Sequence, residues 1–118
     1  MKYLLLYAGD ETADGLAPPT AGTGPVEDVC EPWYAEIATR DVRSLAGGRL
    51  LPTSTATTVR AAGDEVLLAD GPFAETKEQI LGFDVIECAD LDEAVYAASR
   101  HPVAQLGGTV EVRPFLGH

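Results

Sequence analysis

Ile80-Leu81-Gly82-Phe83-Asp84-Val85-Ile86-Glu87-Cys88 runs, after one alanine, into Asp90-Leu91-Asp92-Glu93-Ala94-Val95. The first half is rich in β-branched and aromatic residues and apolar on both faces, which predicts a strand. The second half opens with Asp90 as an N-cap and Glu93 three residues on, a capping-box-like start. Leu91, Ala94, Val95 and Ala98 make the expected buried stripe of that helix. Arg100 and His101 then stand at the negative end of its dipole, and Pro102 forbids continuation.

Working outward from this βα unit, Thr55–Arg60 and Glu65–Ala69 flank Ala62-Gly63-Asp64 and read as a β-hairpin, followed by a sharp turn at Asp70-Gly71-Pro72. A first helix is predicted over residues 32–46. Pro32 lies in its first turn, Tyr34, Ile37, Ala38 and Leu45 lie on one face, and Gly47-Gly48 stops it. Asp41 falls on the edge of that stripe. Arg49-Leu50-Leu51-Pro52 begins the next extended segment. Lys2–Tyr7 is an apolar first strand, and Gly108–Phe115 alternates Val110, Val112 and Pro114 against Thr109, Glu111, Arg113 and Phe115 as a last one. Between the first strand and the first helix, residues 9–25 are rich in Gly, Pro, Thr and Asp and read as a flexible loop, with a lid as the functional version. Setting the hairpin aside, the order is βαββαβ, the α+β arrangement of ferredoxin-like folds. Both helices would cover one face of the sheet. The bare face points to a homodimer.

The 118 residues suit one domain spanning 1–118. Eight basic against 19 acidic residues leave a net charge of −11, which disfavours nucleic acid and anionic membrane as partners. No apolar run approaches the ~20 residues of a membrane helix, and the opening Met1–Tyr7 is too short for a signal peptide, so a cytoplasmic protein is expected. Cys30 and Cys88 read as free thiols, Cys88 as a small buried hydrophobe. With only His101 and His118 as histidines, no metal site and no cofactor are expected.

Asp70-Gly71-Pro72-Phe73-Ala74-Glu75-Thr76-Lys77-Glu78-Gln79, followed by Leu81-Gly82-Phe83, resembles the signature of YCII-related proteins of the DGPF type. Lys2–Leu6, Thr55–Arg60, Asp90–Ala94 and Val110–Pro114 match as well, so the resemblance covers the chain apart from the 9–25 loop. It implies a dimeric α/β-barrel of ferredoxin-like subunits and a mostly unassigned biochemical role. It also implies a sigma-factor-associated partner, since genes of such proteins often neighbour those of alternative sigma factors. The broader group is associated with a proton-moving His–Asp pair, the histidine near the first helix and the aspartate just before a Pro after the second. This chain departs at both places: residues 32–46 hold no histidine, and His101 precedes Pro102.

Candidate residues follow from chemistry. Asp70 is either a turn former or, as an alternative to Glu75, a proton acceptor, with Lys77 steadying developing negative charge. His101 is either a proton carrier or a helix-terminal histidine bonded to carbonyls. Asp84, Glu111 and Arg113 are expected on the face away from the helices, where Asp84 or Glu111 would pair with Arg113 and Tyr3 or Tyr7 would add polar lining. A plain salt bridge is the simpler account of those charges. Tyr34, with Trp33, either packs in the core or stacks on a ligand. The leading expectation is a small-molecule-binding or regulatory dimer. The alternative is a cofactor-independent lyase or isomerase using general acid–base chemistry on Asp70 and His101.

Overall fold

The computed structural model describes residues 1–13, 31–72 and 78–117. The elements are β1 (Lys2–Gly9), α1 (Glu31–Ala38), β2 (Arg43–Arg49), a 3-10 turn (Thr53–Thr55), β3 (Thr57–Ala62), β4 (Glu65–Asp70), β5 (Gln79–Glu87), α2 (Leu91–Arg100), α3 (Pro102–Gln105) and β6 (Thr109–Pro114). β2, β5, β1 and β6 pair antiparallel in that order, while β3 and β4 form a separate two-stranded ribbon. This mixed α+β arrangement is compatible with a ferredoxin-like fold. No helix among the described residues is long and apolar enough to cross a membrane.

Alternation along β1 and β5 separates the two faces of the sheet. Tyr3, Leu5 and Tyr7 from β1 and Asp84 and Ile86 from β5 are buried on one face, with Val110 and Val112 of β6 packed beside them. Trp33 and Ile37 of α1, Ala94, Ala97 and Ala98 of α2, and Val103 of α3 close the core over that face. The opposite face carries Leu4, Leu6, Phe83 and Val85, bordered by Glu111 and Arg113.

The first helix is shorter than the sequence predicts. It ends at Ala38, Asp41 takes a left-handed backbone (φ 59°), and the chain re-enters the sheet at Arg43. Asp is among the few residue types that visit that conformation, so Asp41, not Gly47, is where the helical course is broken. Leu45 is therefore an exposed strand residue instead of the last member of a buried helical stripe. β2 also carries a bulge: Ser44 pairs with Ile86 and Ala46 with Val85, leaving Leu45 as the extra residue.

α2 keeps its predicted start, with Asp90 Oδ1 accepting the Glu93 N–H at 3.0 Å. Its buried face is rotated. Ala94, Ala97 and Ala98 pack inward, while Leu91 and Val95 are each 51% exposed. The reason is close approach: the Trp33 indole N–H reaches the Ala97 carbonyl at 2.8 Å, satisfying one of the helix's terminal acceptors. The small side chains of Ala94, Ala97 and Ala98 leave room for that indole to reach the helix backbone. On the outside, Arg40 pairs with Glu93 (2.9 Å) and stacks over Tyr96, and Arg100 pairs with Glu36 (2.6 Å).

The start of the predicted 9–25 loop belongs to the fold. Gly9 ends β1, Glu11 N–H donates to Gln79 Oε1 (3.0 Å), and the Glu11 carboxylate accepts from the Thr53 N–H (3.0 Å) and hydroxyl (2.6 Å). Residues 14–25 lie outside the described residues, as do Cys30, Phe73, Glu75, Lys77 and His118.

Replacing Asp90 with alanine removes the α2 cap and is expected to cost about 1 kcal/mol, lowering the melting temperature by about 4 °C in a circular-dichroism melt.

Candidate functional site

β5 buries one charged side chain in its apolar run. Asp84 is 2% exposed and, opposite Leu5, faces the helices, not the bare face expected from the sequence. An ionised carboxylate has only acceptor positions, and hydroxyls fill them here. Tyr7 Oη donates to Oδ2 at 2.6 Å, Tyr34 Oη to Oδ1 at 3.0 Å, and Ser44 Oγ to Oδ1 at 2.9 Å. Each donor comes from a different element: β1, α1 and β2. Among the described residues no buried side-chain nitrogen or oxygen lacks a partner.

Room for the carboxylate comes from the bulge. Counting straight from the Ser44–Ile86 pair, Ala46 would stand opposite Asp84; the extra residue puts Gly47 there instead. A Cβ at Gly47 would collide with the Asp84 carboxylate and the Phe83 carbonyl, whereas one at Gly48 would meet open space. The paired glycines that read as a helix stop are thus part of the site.

On the far side of Tyr7 lies His101, 1% exposed. Its ring stacks on the Tyr7 ring (centroids 3.8 Å apart, 15° between planes) and meets the Trp33 indole edge-on at 4.8 Å. The sequence places His101 at the end of α2; in the fold it also caps α3, Nδ1 accepting the Val103 N–H at 3.1 Å. It thus receives a backbone N–H, in contrast to the carbonyl contact expected of a helix-terminal histidine. With Nδ1 an acceptor, the proton of the neutral ring sits on Nε2. Burial lowers the His101 pKa to about 4, so the ring is neutral at pH 7.

A groove of about 640 Å³ opens beside the cluster, lined by Tyr34, Ala38, Val42, Arg43, Ser44 and Cys88. Tyr34 and Ser44 thus both wall the groove and bond Asp84. Ala38 and Val42 give it apolar sides, and the Arg43–Glu87 ion pair (2.6 Å) stands at the rim. Burial pushes the Cys88 thiol pKa up, which makes it a poor nucleophile at neutral pH.

The other sequence candidates lie elsewhere. Arg113 stands opposite Leu4, one position out of phase with Asp84, so the expected Asp84–Arg113 pairing falls on opposite faces of the sheet. Arg113 takes the other partner expected of it, Glu111, at 3.8 Å, and both are exposed. Tyr3 is buried with its hydroxyl toward Met1 Sδ (3.6 Å), apart from the Asp84 hydroxyls. Asp70 is exposed at the end of β4, on the ribbon and not in the four-stranded sheet that carries the cluster. Lys77 lies outside the described residues. Among them no group of three His, Cys, Asp or Glu is placed to hold a metal ion. Ser44 and Gly47 escaped sequence reasoning because their segment read as helix; the only trace was the polar Asp84 in an apolar strand, which demands partners.

A family model described as a YCII-related domain matches residues 1–116. The chain belongs to the YCII-related family. A relative from Rhizobium meliloti (strain 1021), described as an uncharacterized protein, is 40% identical, with 75% of this chain and 83% of the relative covered. In this YCII-related chain, the structure puts a histidine and an aspartate on either side of one tyrosine, at positions far apart in sequence.

Two measurements check the geometry. Gly47→Ala is expected to cost more than ~2 kcal/mol in a denaturant titration, whereas Gly48→Ala should change stability by less than ~0.5 kcal/mol. The second concerns pH. Because the folded His101 pKa lies near 4, below its ordinary 6.5, the unfolded chain binds the proton more readily. Its contribution is complete above pH 6.5 and is lost as pH falls towards 4. Between pH 7 and pH 5 the loss is about 2 kcal/mol, and His101→Asn should remove that part of the pH dependence.

Proposed function

We propose that this chain is the subunit of a homodimeric small-molecule-binding or regulatory protein, built as a dimeric α/β-barrel of ferredoxin-like subunits of the DGPF type. The ligand occupies the groove at Tyr34 and Ser44. One observation carries the reading: the hydroxyls that satisfy the buried Asp84 are also walls of the groove. A carboxylate that accepts hydroxyl hydrogen bonds can accept a ligand O–H or N–H in place of one of them. The groove therefore suits a small ligand with an apolar body and a hydrogen-bond donor. The net charge of −11 works against strongly anionic compounds. The apolar sheet face of Leu4, Leu6, Phe83 and Val85 supports the homodimer.

The acid–base alternative has its own support in Tyr7. Its hydroxyl lies 2.6 Å from Asp84 and its ring lies against neutral His101, so proton-bearing groups are contiguous. On this reading Asp84 and His101 carry the role that the sequence assigned to Asp70 and His101.

A thermal-shift screen against lactones, hydroxy-aromatic acids and common neutral metabolites tests the site. A ligand at ~100 times its dissociation constant should add about 2.7 kcal/mol, several degrees here. The shift should disappear in Tyr34→Phe and Asp84→Asn. Shifts of equal size in both variants and the parent would overturn the assignment. Turnover of a hit that falls at least a hundredfold in Tyr7→Phe, with binding kept, would select the acid–base alternative.

A further inference from the structure

The β3–β4 ribbon is a two-stranded sheet with nothing substantial packed on it among the described elements. Every residue of β4 is exposed. Its register puts Val59 opposite Leu68 and Ala61 opposite Val66, so these four share one face. Val59, Val66 and Leu68 are 61%, 66% and 68% exposed. The other face is mixed, with Arg60 opposite Leu67 and Ala62 opposite Glu65. A lone two-stranded ribbon is marginal in water, and this one exposes its apolar side.

We propose that the ribbon is an arm that each subunit of the dimer lays on the other copy, seating the Val59–Ala61–Val66–Leu68 strip on the exposed apolar patch of Leu50, Leu51 and Ile80. The inference rests on the homodimer proposed above and adds the segment that seals it. Charge favours a second copy. The chain carries −11, so two copies repel across most of their surfaces, yet the strip bears no charge between Thr57–Asp70 at its base and the Gly63-Asp64 turn. The receiving patch is uncharged as well, and it sits where Leu50 N–H bonds the Leu81 carbonyl, next to the bare face of the sheet. Area agrees. The strip offers roughly 300 Å² of apolar surface. Two-fold symmetry makes the contact twice, and each contact buries strip and patch alike, for a total of about 1,200 Å², the lower bound of a stable interface. Six residues per strand span about 20 Å, enough to reach across a four-stranded sheet.

Sedimentation equilibrium on the full chain tests this with Val66→Glu/Leu68→Glu on the arm and Ile80→Glu on the patch; glutamate is chosen because an acidic partner would tolerate lysine. The expected result is a parent dimer whose dissociation constant rises at least a hundredfold in either variant, with no further rise on combining them and with unchanged far-UV circular dichroism. A parent dimer whose dissociation constant shifts less than threefold in the arm variant overturns the arm and leaves the homodimer standing. A parent that is monomeric at tens of micromolar overturns both.

Discussion

The burial of the Asp84 carboxylate is the constraint around which the described structure is arranged. Taking an ion out of water costs several kcal/mol unless its acceptor positions are filled. Three elements must therefore be in register at once: β1 to offer Tyr7, α1 to offer Tyr34 and β2 to offer Ser44. A hydrophobe in the same place would tolerate any of several packings, whereas a carboxylate tolerates few. The orientation of α1 across the sheet is thus specified by polar contacts as much as by Trp33 and Ile37.

The same cluster ties the helices of that layer together. Tyr7 gives its hydroxyl to Asp84 and its ring to His101, which stacks on Tyr7 while capping α3. Trp33 meets His101 edge-on and donates its indole N–H to α2. A change at the groove wall that moved Tyr34 or Ser44 would be felt at Asp84, hence at Tyr7, and hence at the α2–α3 junction. Such a path is short and made of discrete hydrogen bonds and ring contacts, which suits a binding protein that has to report occupancy as well as a proton-transfer site.

How much of this could be read from the residues depended on whether the signal was local. The α2 cap, the hairpin turn at Gly63-Asp64 and the alternation of β6 are written in neighbouring residues and are found where expected. The end of α1 was misjudged because Asp41 breaks the helix by a backbone conformation that its side-chain type permits but does not announce. The face of α2 was misjudged because three alanines win over Leu91 and Val95 where the Trp33 indole comes in against the helix backbone, a tertiary fact. For the site, His101 and Tyr7 were nameable from chemistry, and Asp84 from its incongruity. The grouping of Tyr7, Tyr34, Ser44 and Asp84 was not legible, since it depends on a one-residue bulge in a segment that reads as helix.

That bulge also governs what the chain can lose or gain. β2 is an edge strand of the four-stranded sheet, the kind of place where homologous chains usually absorb insertions and deletions. Here the bulge absorbs one residue between Ser44 and Gly47 and so keeps a glycine, not an alanine, against the carboxylate. Removing the exposed Leu45 would close the bulge into a regular ladder, with Ala46 opposite Val85 and Gly47 still opposite Asp84. In β2, then, the place of one glycine is under tighter constraint than the length of the strand, and the exposed Leu45 is a residue that the ladder itself can spare.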